Sequence, residues 1–175
     1  MAKTATYALI ASQTLGSATT TVSLTSIPST YTDLRLVIVP ASSSGTNGIR
    51  MRINGDTASN YSATYLGGNG TSAASARDTS ATQMQLSWYT GINTTLGVQI
   101  YTIDFLDYAN TTTSKTMLLR TTAAGNAVEA NVGLWRKTPE AITSLSFNIN
   151  SFGSSTGDFV TGSTFKLYGI QAGNA

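Results

Sequence analysis

The residues best equipped for chemistry are few. Asp104 and Asp107 are the nearest pair of carboxylates, and two carboxylates flanking a bond are what glycoside hydrolysis needs. Three residues apart on a strand, however, they point to opposite faces, which suits a strand-end and a turn aspartate. Asn54, Asp56 and Asn60 gather oxygen ligands around one turn, but without the acidic count and terminal glutamate of a calcium loop. Asn-Gly-Asp is accounted for by turn formation alone. Gly67-Gly68-Asn69-Gly70 is glycine-rich like a phosphate loop, yet no Lys-Ser/Thr follows and no helix opens. Trp88-Tyr89 with Tyr61 and Tyr65 could stack on a sugar, although aromatics at alternating strand positions more often serve a core or an interface. The chain has no histidine and no cysteine. No catalytic, cofactor-binding or metal-ligating residue is therefore expected, and the sequence reads as a protein that does no chemistry.

Composition narrows the class further. At 175 residues and 18.3 kDa the chain is expected to form one domain over 1–175, large enough for its own core. Only 10% of residues are charged, and Ser and Thr exceed a quarter of the chain, so hydroxyls keep this surface wet. The net charge of +2 comes from scattered basic residues, with Arg50/Arg52 and Arg136-Lys137 the close pairs. That is too thin a footprint for nucleic acid. No apolar run approaches the roughly 20 residues of a membrane span, and Met1-Ala2-Lys3-Thr4 opens no secretory signal. A protein made in the cytoplasm, with no nucleic-acid or membrane partner, is the expectation.

The elements that position these residues all read as strands. Thr32 to Pro40 is the longest nearly unbroken apolar run, with Leu34, Leu36 and Ile38 on one face and Arg35, Val37 and Val39 on the other. β-branched residues stiffen it and Pro40 ends it, so it is taken as the strand around which the chain wraps. Further strands are expected at 6–11, 20–25, 49–53, 60–66, 83–88, 96–106, 116–120, 128–135, 142–149 and 164–170. Asn54-Gly55 is a strong hairpin signal between two of them. In 128–135 the apolar register is Val128, Ala130, Val132 and Leu134. Stretches 41–48, 67–81 and 153–162, rich in Gly and Ser, are read as exposed loops. No window carries a helical apolar period, and strands at such spacing indicate a single-domain antiparallel β-sandwich, jelly-roll-like, of about ten strands.

Three segments resemble a family of small β-rich virion structural proteins of tailed bacteriophages, notably those infecting cyanobacteria. They are Ala5-Thr-Tyr-Ala-Leu-Ile-Ala-Ser-Gln-Thr-Leu15 running on through Ile27-Pro-Ser-Thr-Tyr-Thr-Asp-Leu34, then Arg52-Ile-Asn-Gly-Asp-Thr-Ala-Ser-Asn-Tyr-Ser62 with Leu66-Gly-Gly-Asn-Gly70, and the closing Ser163-Thr-Phe-Lys-Leu-Tyr-Gly-Ile170. The resemblance implies a non-enzymatic cement or decoration protein on the outer capsid surface, with the major capsid protein and further copies of itself as partners. A homotrimer suits threefold positions of a shell. A tail fibre or baseplate component is the alternative, less favoured because the chain has no stem repeats; a carbohydrate-binding module for host glycans is another. Lys3, Tyr7, Arg50 and Arg52 are the candidate partner contacts, the arginines on the exposed face of their strand.

Overall fold

In the computed structural model the described residues are 6–43, 47–89, 91–92, 98–123, 127–151 and 156–171. They form thirteen strands and no helix, in two antiparallel sheets packed as a sandwich. The all-β expectation is met. The larger sheet has eight strands. In spatial order these are β1 (Tyr7–Thr14), β13 (Thr164–Ile170), β3 (Asp33–Val39), β8 (Gln99–Leu106), β9 (Lys115–Ala123), β10 (Ala127–Trp135), β5 (Tyr61–Gly68) and β6 (Ala73–Ala81). In the smaller sheet β11 (Leu145–Ser151) lies beside β4 (Asn47–Ile53), and β4 beside β7 (Met84–Gln85). The far edge of β11 carries β2 (Thr21–Leu24) and β12 (Thr156–Gly157).

The apolar run at 33–39 lies inside the large sheet, hydrogen-bonded to β13 on one side and β8 on the other. Leu34, Leu36 and Ile38 are wholly buried, facing the Ile49, Met51 and Ile53 side of the small sheet. Asn54 and Gly55 both take positive φ at the end of β4 (51° and 67°). That conformation is cheap for Gly and tolerated by Asn, which is why this dipeptide turns the chain.

Three readings are corrected by the fold. Residues 73–81 are not part of a loop; they pair with β5 as the edge strand β6, Leu66 opposite Ser75 and Thr64 opposite Arg77. The Ala and Ser side chains give no apolar alternation, and the backbone ladder to β5 defines the strand instead. Within 153–162, Phe159 is fully buried and packs edge-on to Phe165, so that stretch contributes to the core.

The third correction concerns β10. Val128 and Val132 face solvent, and the inward set is Ala127, Glu129, Asn131, Gly133 and Trp135. The apolar alternation was real, but it belongs to the outer face. The inner face is shaped to hold the segment 84–89. Glu129 is 3% exposed, and its carboxylate accepts from Ser87 Oγ (2.5 Å), Trp88 N (2.9 Å), Tyr89 N (2.6 Å) and Thr121 Oγ1 (3.1 Å). Asn131 Nδ2 donates to Leu86 O. A Cβ on Gly133 would come within 2.7 Å of Met84 Cε, and one on Gly67 within 2.9 Å of Tyr89 Cβ. Met84 and Gln85 pair with β4, and Leu86 N donates to Ile49 O. The segment is thus tied to the small sheet by its backbone and to the large sheet by Glu129.

Glu129→Ala should lower stability by about 3 kcal/mol in urea denaturation, because it strands buried donors that the carboxylate satisfies. Glu129→Gln should cost less, since an amide oxygen can take the backbone N–H groups while its NH2 faces the two hydroxyls. Equal losses for the two variants would contradict this role.

Candidate functional site

Alternation on four neighbouring strands turns seven large apolar side chains outward: Leu66 on β5, Val128 and Val132 on β10, Leu118 on β9, Ile100 and Leu106 on β8, and Val98 just before it. Leu66 is 62% exposed, Val128 60% and Val132 50%. The registers bring Leu66, Leu118, Val128 and Val132 together around Ala130, with Leu66 opposite Ala130 and Val132 opposite Leu118. On β8, Ile100 lies opposite Thr122, Leu106 opposite Thr116 and Asp104 opposite Leu118, so polar residues interrupt the apolar set there. Two adjoining troughs of about 590 and 460 Å³ run over β9, β10 and β5, and both are lined by Leu66, Arg120 and Ala130.

A charged ladder runs into this face from β3 to β9. Arg35 on β3 lies opposite Asp104 on β8 and grips its carboxylate twice, Nε to Oδ1 at 2.6 Å and Nη2 to Oδ2 at 2.9 Å. Bonding to Asp104, against the smaller opposing effect of burial, raises the Arg35 pKa above its ordinary value. Arg35 Nη1 also donates to the Tyr7 hydroxyl at 2.9 Å, and its guanidinium sits 5.5 Å from that ring centre. Arg120 reaches Asp104 only loosely, at 3.9 Å, with its side chain two-thirds exposed. It is the exposed end of the ladder, able to lay its stem on apolar surface while its charge stays in water. On this outer face Arg35, Arg77, Arg120 and Lys166 outnumber Asp33 and Asp104, among the described residues.

The residues singled out in the sequence are distributed as follows. Tyr7 stands on this face. Arg50 and Arg52 lie on β4 in the other sheet, turned from the core yet half-buried, so the open exposure expected for them is not found. Lys3 lies outside the described residues. Asp104 and Asp107 do not converge. Asp107 occupies a turn at φ 48°, where its N–H donates to Asp33 and its carboxylate accepts from Asn110. Asn54 Oδ1 accepts from Thr143 N and Ser144 N, while Asp56 accepts from Asn60, Ala58 N and Trp135 Nε1. Burial pushes the Asp56 carboxyl up, but those donors outweigh it and hold it below the usual range. Tyr61 and Tyr65 are fully buried, so they form no platform with Trp88. Burial raises the Tyr61 hydroxyl to about 12. The apolar face itself was missed; its signal was the apolar content of both registers around β9 and β10.

No family model matches the sequence, and no curated protein matches it. Among solved structures the chain is similar to one described as a crystal structure of Scytalido-glutamic peptidase with a peptide based transition state analog. The two are 18% identical, the match covers 85% of this chain and 74% of that one, and the TM-score is 0.35. This finding corrects two expectations: that the chain does no chemistry, and that it is a non-enzymatic virion protein, whether capsid cement, tail component or glycan-binding module. The description of the matched chain names a peptidase. A likeness at this TM-score carries no activity over to this chain.

Asp104→Asn should destabilise the fold by about 1–2 kcal/mol in chemical denaturation, because it removes the charged acceptor of a twofold, partly buried contact. Tyr7→Phe should cost less than about 1 kcal/mol. A neutral Asp104→Asn would mean that the ladder holds nothing in place.

Proposed function

We propose that the chain is an interaction module that pairs with a second copy of itself through the outer face of its large sheet. The observation that carries this reading is the cluster of exposed apolar side chains formed by Leu66, Leu118, Val128 and Val132 on β5, β9 and β10. Isolated exposed apolar residues are ordinary, but a contiguous patch of this extent on a soluble domain marks a contact surface. The four strands β8, β9, β10 and β5, at about 4.8 Å spacing and some seven residues of about 3.4 Å each, make a face of roughly 460 Å², so a full contact would also take in the flanking strands β3 and β6. A standard interface takes about 800 Å² per partner. Sheet faces stack readily on one another, and a twofold pair uses the same patch twice.

Charge distinguishes a second copy from an acidic partner. Each face carries more basic than acidic side chains, so two copies repel weakly and screening helps them associate. Contact with an acidic protein would instead weaken with salt. Sedimentation equilibrium on the full chain at micromolar concentrations tests the proposal. The expected result is a dimer that tightens as salt is raised. Leu66→Lys and Val132→Lys should be monomeric and fold with the midpoint of dilute, monomeric wild type, because both positions are already exposed. A wild-type protein that is monomeric throughout, or an oligomer that survives both substitutions, would refute the pairing.

A further inference from the structure

The outer face of the small sheet has a different chemistry. Arg50 and Arg52 share one side of β4, two residues and so about 7 Å apart, while Ile49, Met51 and Ile53 fill the core on the other side. Across the ladder on β11, Asn148 lies opposite Arg50 and Ser146 opposite Arg52; Thr21 and Ser23 on β2 continue those two rows. No carboxylate shares this face among the described residues. Gln85, opposite Arg50 on β7, is turned to its own segment, donating to Ser87 O.

Among the described residues neither guanidinium has an ion pair or a hydrogen bond, and the Nε of each is buried without a partner. Asp78 is the carboxylate that acts on Arg50, but it makes no ion pair with it, and its Oδ2 accepts from the Tyr65 hydroxyl. Burial lowers the Arg50 pKa, more than Asp78 and Tyr65 raise it. Arg77 and Lys166 also lack ion pairs among the described residues, yet both are exposed to solvent. Two half-buried cations side by side, partly stripped of water and given no acceptor, are costly unless something else supplies one.

We propose that Arg50 and Arg52 form the base of a binding site for an oxyanion, the phosphate or carboxylate group of a ligand lying across β4 and β11. Planar guanidinium forks suit both groups, and a negative charge here gains charge-assisted bonds. The Ser146 hydroxyl and the Asn148 amide add neutral donors beside them. The site lies on the sheet opposite the pairing face, so either proposal can fail alone.

The test is an NMR titration of the arginine Nε–H signals in the full chain, with inorganic phosphate and separately with citrate. Sodium chloride holds ionic strength constant. The Arg50 and Arg52 signals should shift and saturate with at least one anion, while that of Arg77 drifts without saturating. Saturation with phosphate alone assigns a phosphate ligand, and with citrate alone a carboxylate ligand. Arg52→Gln should weaken binding about tenfold or more. If that variant does not fold, the wild-type titration still decides. Shifts at Arg50 and Arg52 that match those at Arg77 and never saturate, with both anions, would overturn the proposal.

Discussion

The buried carboxylate of Glu129 governs how this sandwich is assembled. It collects the N–H groups of Trp88 and Tyr89 and the hydroxyl of Ser87, on a segment whose preceding residues pair with β4 in the other sheet. A polar group so deeply buried is tolerable only when its hydrogen-bonding sites are filled. Once Glu129 faces inward, the two-residue period leaves no choice for the rest of β10. Asn131, Gly133 and Trp135 must follow it in, and Val128, Ala130, Val132 and Leu134 must go out. A one-residue slip would exchange the two sets and leave the 84–89 segment without partners.

That constraint gives the molecule two unlike outer faces. Over β9, β10 and β5 the outward positions set Leu66, Leu118, Val128 and Val132 among threonines, and the Arg35–Asp104–Arg120 ladder runs in from β3 to β9. Over β4, β11 and β2 they are hydroxyls, amides and two unpaired guanidiniums. The first suits a surface that excludes water, the second a ligand that brings charge. The edges of the large sheet are less suited to recruiting another chain. β6 carries Arg77, Asp78 and small side chains, and β1 is kinked by a register shift between Leu9 and Ala11.

Much of the fold was legible because burial and alternation agreed. In β3, Leu34, Leu36 and Ile38 formed the more apolar set and did face the core. In β10 the two signals parted, since an inward carboxylate has no apolar signature and its partners lie some forty residues away in the chain. β6 escaped notice because Ala and Ser mark no face, and Phe159 because a single aromatic among Gly and Ser shows no period. The arginine pair was visible as a pair, but not that its cations would be half-buried without acceptors. That depends on β11 and β2 placing only neutral side chains beside them.

If the outward apolar residues meet a second copy of the chain, they and not the inward ones respond to concentration. Methyl NMR over a dilution series observes both sets in one sample. Concentration-dependent shifts are expected for Leu66, Leu118, Val128 and Val132, with Leu36 and Ile103 of the core and Val22 of the small sheet unchanged. Spectra that do not vary with concentration, or shifts centred on the small sheet, would contradict the pairing.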